Sequence, residues 1–197
     1  MKRPLSIILL SVLAFAACND SDDVYPDIIT QFVEIQSDAQ GALTQITTDY
    51  AQTYQISNPI EGYTPQTTYR VVCGYALQDD KATIYQLMPV YLLRDSTLTP
   101  ARDPITLLSV WQAGEYINMQ LAPRTHGEAH GWGFIVDSIR ADHIFLSLHH
   151  RQGDDMPSYT QNVYASILLS HINEYSEEKK ISLTINTFDG PRTYDVK

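Results

Sequence analysis

The chain is short of cysteine, of clustered bases and of glycine-rich loops, and each shortage closes a class of explanation. Only Cys18 and Cys73 stand in 197 residues, too few for the disulfide framework that staples small secreted domains. Thirteen Lys and Arg face 23 Asp and Glu, a formal charge of −10. The largest basic cluster after the N-terminal leader is Lys179-Lys180, and Glu177-Glu178 stands directly before it. Binding to phosphates needs a clustered basic face, so nucleic acid is not an expected partner. A Gly-x-Ser-x-Gly elbow and a Gly-rich phosphate loop are both missing, and no Cys stands near a His in a known nucleophile motif. No catalytic residue and no cofactor-binding residue is therefore assigned from motifs.

What is present begins with an address. Lys2 and Arg3 give a positive start, Leu5 to Phe15 an apolar stretch below the roughly 20 residues of a spanning helix, and Ala16-Ala17-Cys18 a small-residue cleavage site. Residues 1–17 resemble a type II signal peptide, with Phe15 standing where Leu is usual. The resemblance implies that Cys18 becomes the lipidated first residue of the mature chain. Asn19-Asp20-Ser21-Asp22-Asp23 is similar to the acidic export signals of surface lipoproteins in the Bacteroidetes. The expected location is the outer membrane, lipid-anchored on the cell surface, with its periplasmic face as the alternative. Buried acyl chains, at about 0.8 kcal/mol per CH₂, hold a protein on a bilayer without a spanning segment. Loss of Lys2 and Arg3 with the leader takes the mature charge from −10 to −12, which favours solubility and repels anions.

After an acidic tether at 18–27, the pattern is all-β. Thirteen Tyr and many Thr, Ile and Val favour strands. Alternation and turn residues predict strands at 28–36, 43–50, 53–57, 68–77 and 82–94. Pro89 inside the last predicts a bend, a bulge or a sheet edge. Five strands in this span suit a small closed or half-closed barrel over residues 28–98. Asp95 to Pro104, with two prolines and little apolar content, reads as a linker. From Ile105 the pattern restarts, with strands predicted at 105–112, 116–121, 132–140, 143–149, 162–170, 180–188 and 192–196. Their spacing suits an antiparallel β-sandwich over 104–197. Trp111, Tyr116, Phe134, Phe145 and Tyr164 are the expected packing anchors. Cys73 alternates onto the face of Val71 and Tyr75 and reads as a small buried hydrophobe.

Asp103-Pro104-Ile105, continuing through Trp111 and Gly114-Glu115-Tyr116-Ile117-Asn118, resembles the "DPI…W…G.YLN" segment of the NigD-like lipoproteins of the Bacteroidetes. Phe145 to Asp154, a strand ending in His149-His150 before a polar loop, is similar to the same family. The resemblance runs over nearly the whole mature chain and is strongest from Tyr69 to Tyr116. It implies an N-terminal OB-type barrel followed by a C-terminal sandwich. The family takes its name from a bacteriocin-associated gene cluster, and the resemblance brings no catalytic residues to carry over.

Several side chains could in principle carry chemistry. His126 and His130 have zinc-like spacing, but Gly127, Gly131 and Gly133 make the segment a loop, and a solvated hairpin tip is the expectation. His149 and His150 should point to opposite faces of a strand, with Asp154 or Asp155 placed to pair with Arg151. His143 and His171 stand alone. Asp79-Asp80, Asp154-Asp155 and Glu177-Glu178 are acid pairs in turns, and no metal site is assigned to them. Three functions are open at this point. The first is a non-enzymatic lipoprotein that binds a protein or glycan. The second is a metal-assisted hydrolase using loop histidines, and the third a bacteriocin-associated immunity or accessory lipoprotein.

Overall fold

The computed structural model describes residues 26–197. The leader, Cys18 and all but the last two tether residues lie outside the described residues. Five strands come first: β1 Ile29–Ser37, β2 Leu43–Thr48, β3 Thr53–Ile60, β4 Thr68–Gln78 and β5 Lys81–Leu92. β1 to β3 form a meander, β4 returns beside β1, and β5 pairs with β4. Parallel pairing of β3 with β5, Gln55 to Lys81 and Ile56 to Ala82, then closes the ring. This strand order is that of an OB-type barrel. Alternating residues fill the interior, among them Val33, Ile35, Leu43, Ile46, Cys73 and Tyr75. Asp79 and Asp80 join β4 to β5 with φ of 50° and 59°, the twist that a two-residue hairpin needs. Pro89 pairs in register with Val71, while the bulge falls at Tyr85. From Val90 onward β5 leaves β4 for a new partner, so the proline marks the handover between two sheets.

The sandwich is built from β6 Thr106–Ala113, β7 Tyr116–Ala122, β9 Gly131–Ile139, β10 His143–Arg151, β12 Val163–Leu168, β13 Lys180–Thr187 and β14 Gly190–Asp195. One layer runs β12-β7-β6 and the other β14-β13-β10-β9. Ile117, Met119, Leu121, Phe134, Leu146 and Leu183 pack between them. Two short features were not legible in the pattern: a two-residue pairing of β8 Arg124–Thr125 with β11 Tyr159–Thr160, and a 3₁₀ turn at Leu169–His171. The sandwich is also not purely antiparallel. The chain visits the first layer in β12 before returning in β13, and such a crossover brings β13 alongside β10 in parallel.

β12 has a second consequence, because it pairs on one side with β7 and on the other, in parallel, with β5. Barrel and sandwich therefore share one eight-stranded sheet. The segment expected to be a linker is stitched down by bridges from Asp95 to Phe134 and from Arg102 to His150. At the opposite side of the junction, the β6–β7 turn packs directly on the β2–β3 turn. A Cβ at Gly114, whose φ is +52°, would lie 2.2 Å from the Asp49 carbonyl oxygen. Gly114→Ala meets both that clash and an unfavourable backbone region, so it should lower the urea midpoint, with a loss of more than about 1 kcal/mol in stability. An unchanged midpoint would remove this contact from the account.

Candidate functional site

Strand alternation puts Ile117, Met119 and Leu121 inside the sandwich and leaves Tyr116, Asn118 and Gln120 on the outer face of β7. On β4 the same rule sends Val71, Cys73 and Tyr75 toward the barrel core and Arg70 and Val72 outward. The sheet curls between β5 and β12, so these two outer faces meet. Arg70 sits at their centre with its side chain only 3% exposed. It donates two parallel hydrogen bonds to the Asp49 carboxylate, at 2.5 and 2.9 Å, and a third to the Asn118 carbonyl at 2.9 Å. Asn118 returns its amide N–H to Asp49 at 2.8 Å, and the Ser166 hydroxyl donates to Asn118 at 2.7 Å. The guanidinium also lies 3.8 Å over the Tyr116 ring. Burial, followed by donation of its hydroxyl to the Glu34 carboxylate, holds the Tyr116 phenol well above its usual value.

Beside this network the seam opens into a cleft of 350 Å³. Phe32 forms its wall, edge-on to Trp111 at 5.4 Å and to Tyr164 at 5.8 Å between ring centroids. Trp111 is 39% exposed and Tyr50, at the rim, 75%. Thr30 and Gln120 also line the opening. Trp111 and Tyr164, both expected as packing anchors, thus serve a wall that faces solvent on one side. Preformed concavity, aromatic lining and a few polar groups are what a small ligand needs.

A second cluster lies in the sandwich. His150 Nδ1–H donates to the Asp103 carbonyl at 3.0 Å, His150 Nε2 lies 2.9 Å from His130 Nδ1, and His130 Nε2 lies 2.9 Å from Asp155. Asp155 also accepts from the Thr125 hydroxyl at 2.5 Å and from the His126 backbone N–H at 2.9 Å. These donors, Thr125 first, lower its carboxyl to about 2. Trp132 stacks on His150 at 4.7 Å. Carbonyl and carboxylate oxygens only accept, so three contacts along this chain need three hydrogens on four ring nitrogens.

This arrangement corrects two expectations. The His130 side chain is 3% exposed rather than at a solvated tip. Asp155 pairs with His130 instead of Arg151, because the loop after β10 folds back under β8. His126 stays exposed with Nδ1 2.9 Å from the Ser158 hydroxyl, so the two histidines do not converge on one point. His149 accepts the Ala101 backbone N–H at 3.0 Å. His143 stacks on Phe145 and reaches Ser182 at 2.7 Å, and His171 lies 3.0 Å from an Arg94 nitrogen. Asp79, Asp80, Glu177 and Glu178 are exposed in turns. Cys73 is fully buried, and burial pushes its thiol up to about 12. Among the described residues no group of three or more His, Cys, Asp or Glu has the placement to hold a metal. Sequence reasoning missed Arg70, whose one signal was a lone charge inside an apolar strand; Asp155 had no signal beyond its turn.

The family of the NigD-like C-terminal beta sandwich domain matches residues 93–197, more than half of the chain. The chain belongs to the NigD-like family. Its barrel-plus-sandwich fold is shared with solved structures at low identity. A NigD-like immunity protein from Bacteroides caccae is 21% identical, with 86% of this chain and 93% of that one covered at a TM-score of 0.69. A protein named as toxin-related from Parabacteroides distasonis is 14% identical, with 85% and 91% covered at 0.70. A protein named as a lipoprotein from Bacteroides fragilis is 12% identical, with 86% and 98% covered at 0.61. No curated protein matches the NigD-like chain.

Two measurements check these sites. Arg70→Met leaves the Asp49 carboxylate buried and unpaired, a loss of about 3–5 kcal/mol in chemical denaturation; Arg70→Met with Asp49→Leu should recover a large part. Burial holds His150 below its ordinary 6.5. The unfolded chain therefore takes up a proton that the folded chain refuses, because burial penalises the charged imidazolium. Stability should fall as pH drops below 6.5 toward the lowered folded value, and the slope should flatten in His150→Gln. Asp155 adds stability that persists until pH falls below 3.8 toward about 2.

Proposed function

We propose that this NigD-like chain is a non-enzymatic lipoprotein of the outer membrane, tethered through Cys18, that holds a ligand in the cleft between barrel and sandwich. The observation that carries the reading is the cleft itself, an aromatic-walled space of 350 Å³ set beside a buried network in which Asn118 of the sandwich is bonded to the barrel's Arg70 and Asp49. Walls fixed before the ligand arrives spare it the ordering cost that weakens binding at flexible surfaces. The anchor is supported by the leader and by the shared fold of a Bacteroides fragilis protein named as a lipoprotein. An immunity role is the second reading, favoured by the fold shared with the Bacteroides caccae protein named as a NigD-like immunity protein. In that case the ligand is a toxin presented at the cell surface.

Two tests apply. Cells expressing Cys18→Ala should fail to incorporate labelled palmitate into the chain, whereas the unaltered protein should be labelled and should be shaved by protease added to whole cells. Protein purified with Trp111→Ala should capture less material from cell envelopes and culture medium than the unaltered protein at equal folded concentration. Equal capture by both would sink the cleft as the binding seat. Unchanged bacteriocin sensitivity in a deletion strain would remove the immunity reading and leave the first untouched.

A further inference from the structure

We infer that the cleft at the barrel–sandwich seam takes a neutral saccharide, with a pyranose ring laid against Trp111. This rests on the reading of the cleft as the binding seat and adds the chemical class of what sits there. The inference follows from which charges and which polar groups the cleft offers. Among the described residues Asp49 is the one charged residue in its lining, and its carboxylate is already matched by two hydrogen bonds from Arg70 and one from Asn118. No cation among the described residues lines the opening, so an anionic ligand meets Asp49 and the negative field of an acidic protein. Among the described residues no lining acid is left over to select a cation.

What remains for a ligand is uncharged. Among the described residues, the Thr30 hydroxyl, the Gln120 amide and the Trp111 indole N–H have no protein hydrogen-bond partner, while no buried polar atom is left unsatisfied. The Thr30 hydroxyl lies on the same outer face as Gly74 and Phe32. Gln120 and Tyr164 are direct cross-strand partners, so the amide projects beside an aromatic ring. The indole of Trp111 packs at right angles to Phe32 and remains 39% exposed, so part of its ring is open to a ligand. A flat apolar face flanked by uncharged donors and acceptors matches a sugar ring. One side of such a ring presents C–H groups, and its rim presents hydroxyls that both donate and accept. A peptide would instead find few places to pair its regularly spaced N–H and C=O groups. A purely apolar ligand would strip water from Thr30 and Gln120 with nothing in return.

Titration calorimetry and tryptophan fluorescence with cellohexaose, maltohexaose, xylohexaose and mannohexaose test the class directly, with hexagalacturonate and a heparin hexasaccharide as anionic arms. At least one neutral hexasaccharide should bind at millimolar or lower concentration, with affinity unchanged between low and high salt. Trp111→Ala and Gln120→Ala should each weaken that binding, Trp111→Ala by about tenfold or more. Tyr85→Ala, on the exposed barrel surface, should not. Circular dichroism confirms that the variants are folded. Binding confined to the anionic arms, binding that survives Trp111→Ala, or no binding by any neutral probe at millimolar concentration overturns the inference. If Trp111→Ala loses capture from envelopes while every sugar fails, the ligand class is wrong and the cleft stands. Loss of neither removes both.

Discussion

The buried pair between Arg70 and Asp49 is the constraint on which the rest of the molecule turns. Two charged side chains out of water are tolerable only with near-complete hydrogen bonding, and here partners come from both modules. Asp49 belongs to a barrel turn, Arg70 to a barrel strand, and Asn118 and Ser166 to the outer face of the sandwich. The bonds that cross between modules run from Arg70 to Asn118 and from Asn118 back to Asp49, and both are made only when barrel and sandwich sit at one angle. Apolar packing would allow a few degrees of slip; two directional, charge-assisted hydrogen bonds to one amide do not. The contact of Gly114 with Asp49 works to the same end, since the turn can approach so closely only without a side chain.

The fold was largely legible because strands announce themselves by alternation. Twelve predicted segments coincide with observed strands, with ends within two residues of the expected ones except the end of β3, which runs three residues further. The barrel followed by a sandwich was legible as well, through the family resemblance around Asp103 to Met119. What pattern reading cannot see is which strand edge meets which. Asn162 to Ser170 reads as one more sandwich strand, and nothing in its residues says that its far edge pairs with β5. The parallel β10–β13 joint was hidden for the same reason.

The sites divide along the same line. His130 and Asp155 are 25 residues apart and meet across a loop whose path no local rule predicts, so the pair was invisible while the zinc-like spacing of His126 and His130 drew attention to a contact that does not form. Trp111 was noticed as bulk for a core, yet its strand is the edge of the sheet and its ring is half open to solvent. Thr30, Gln120 and Asn118 carry no signature as residues. Their meaning comes from the curl that turns two outward faces toward each other.

The strand β12 also bears on how such a chain can change over evolutionary time. Because it is wedged between β7 and β5, excising the second module would strip β5 of its neighbour beyond Pro89 and bare the flank of a long strand. A bared flank invites pairing with other chains. A deletion that parts barrel from sandwich therefore carries the cost of an exposed strand flank, which a change within either module avoids.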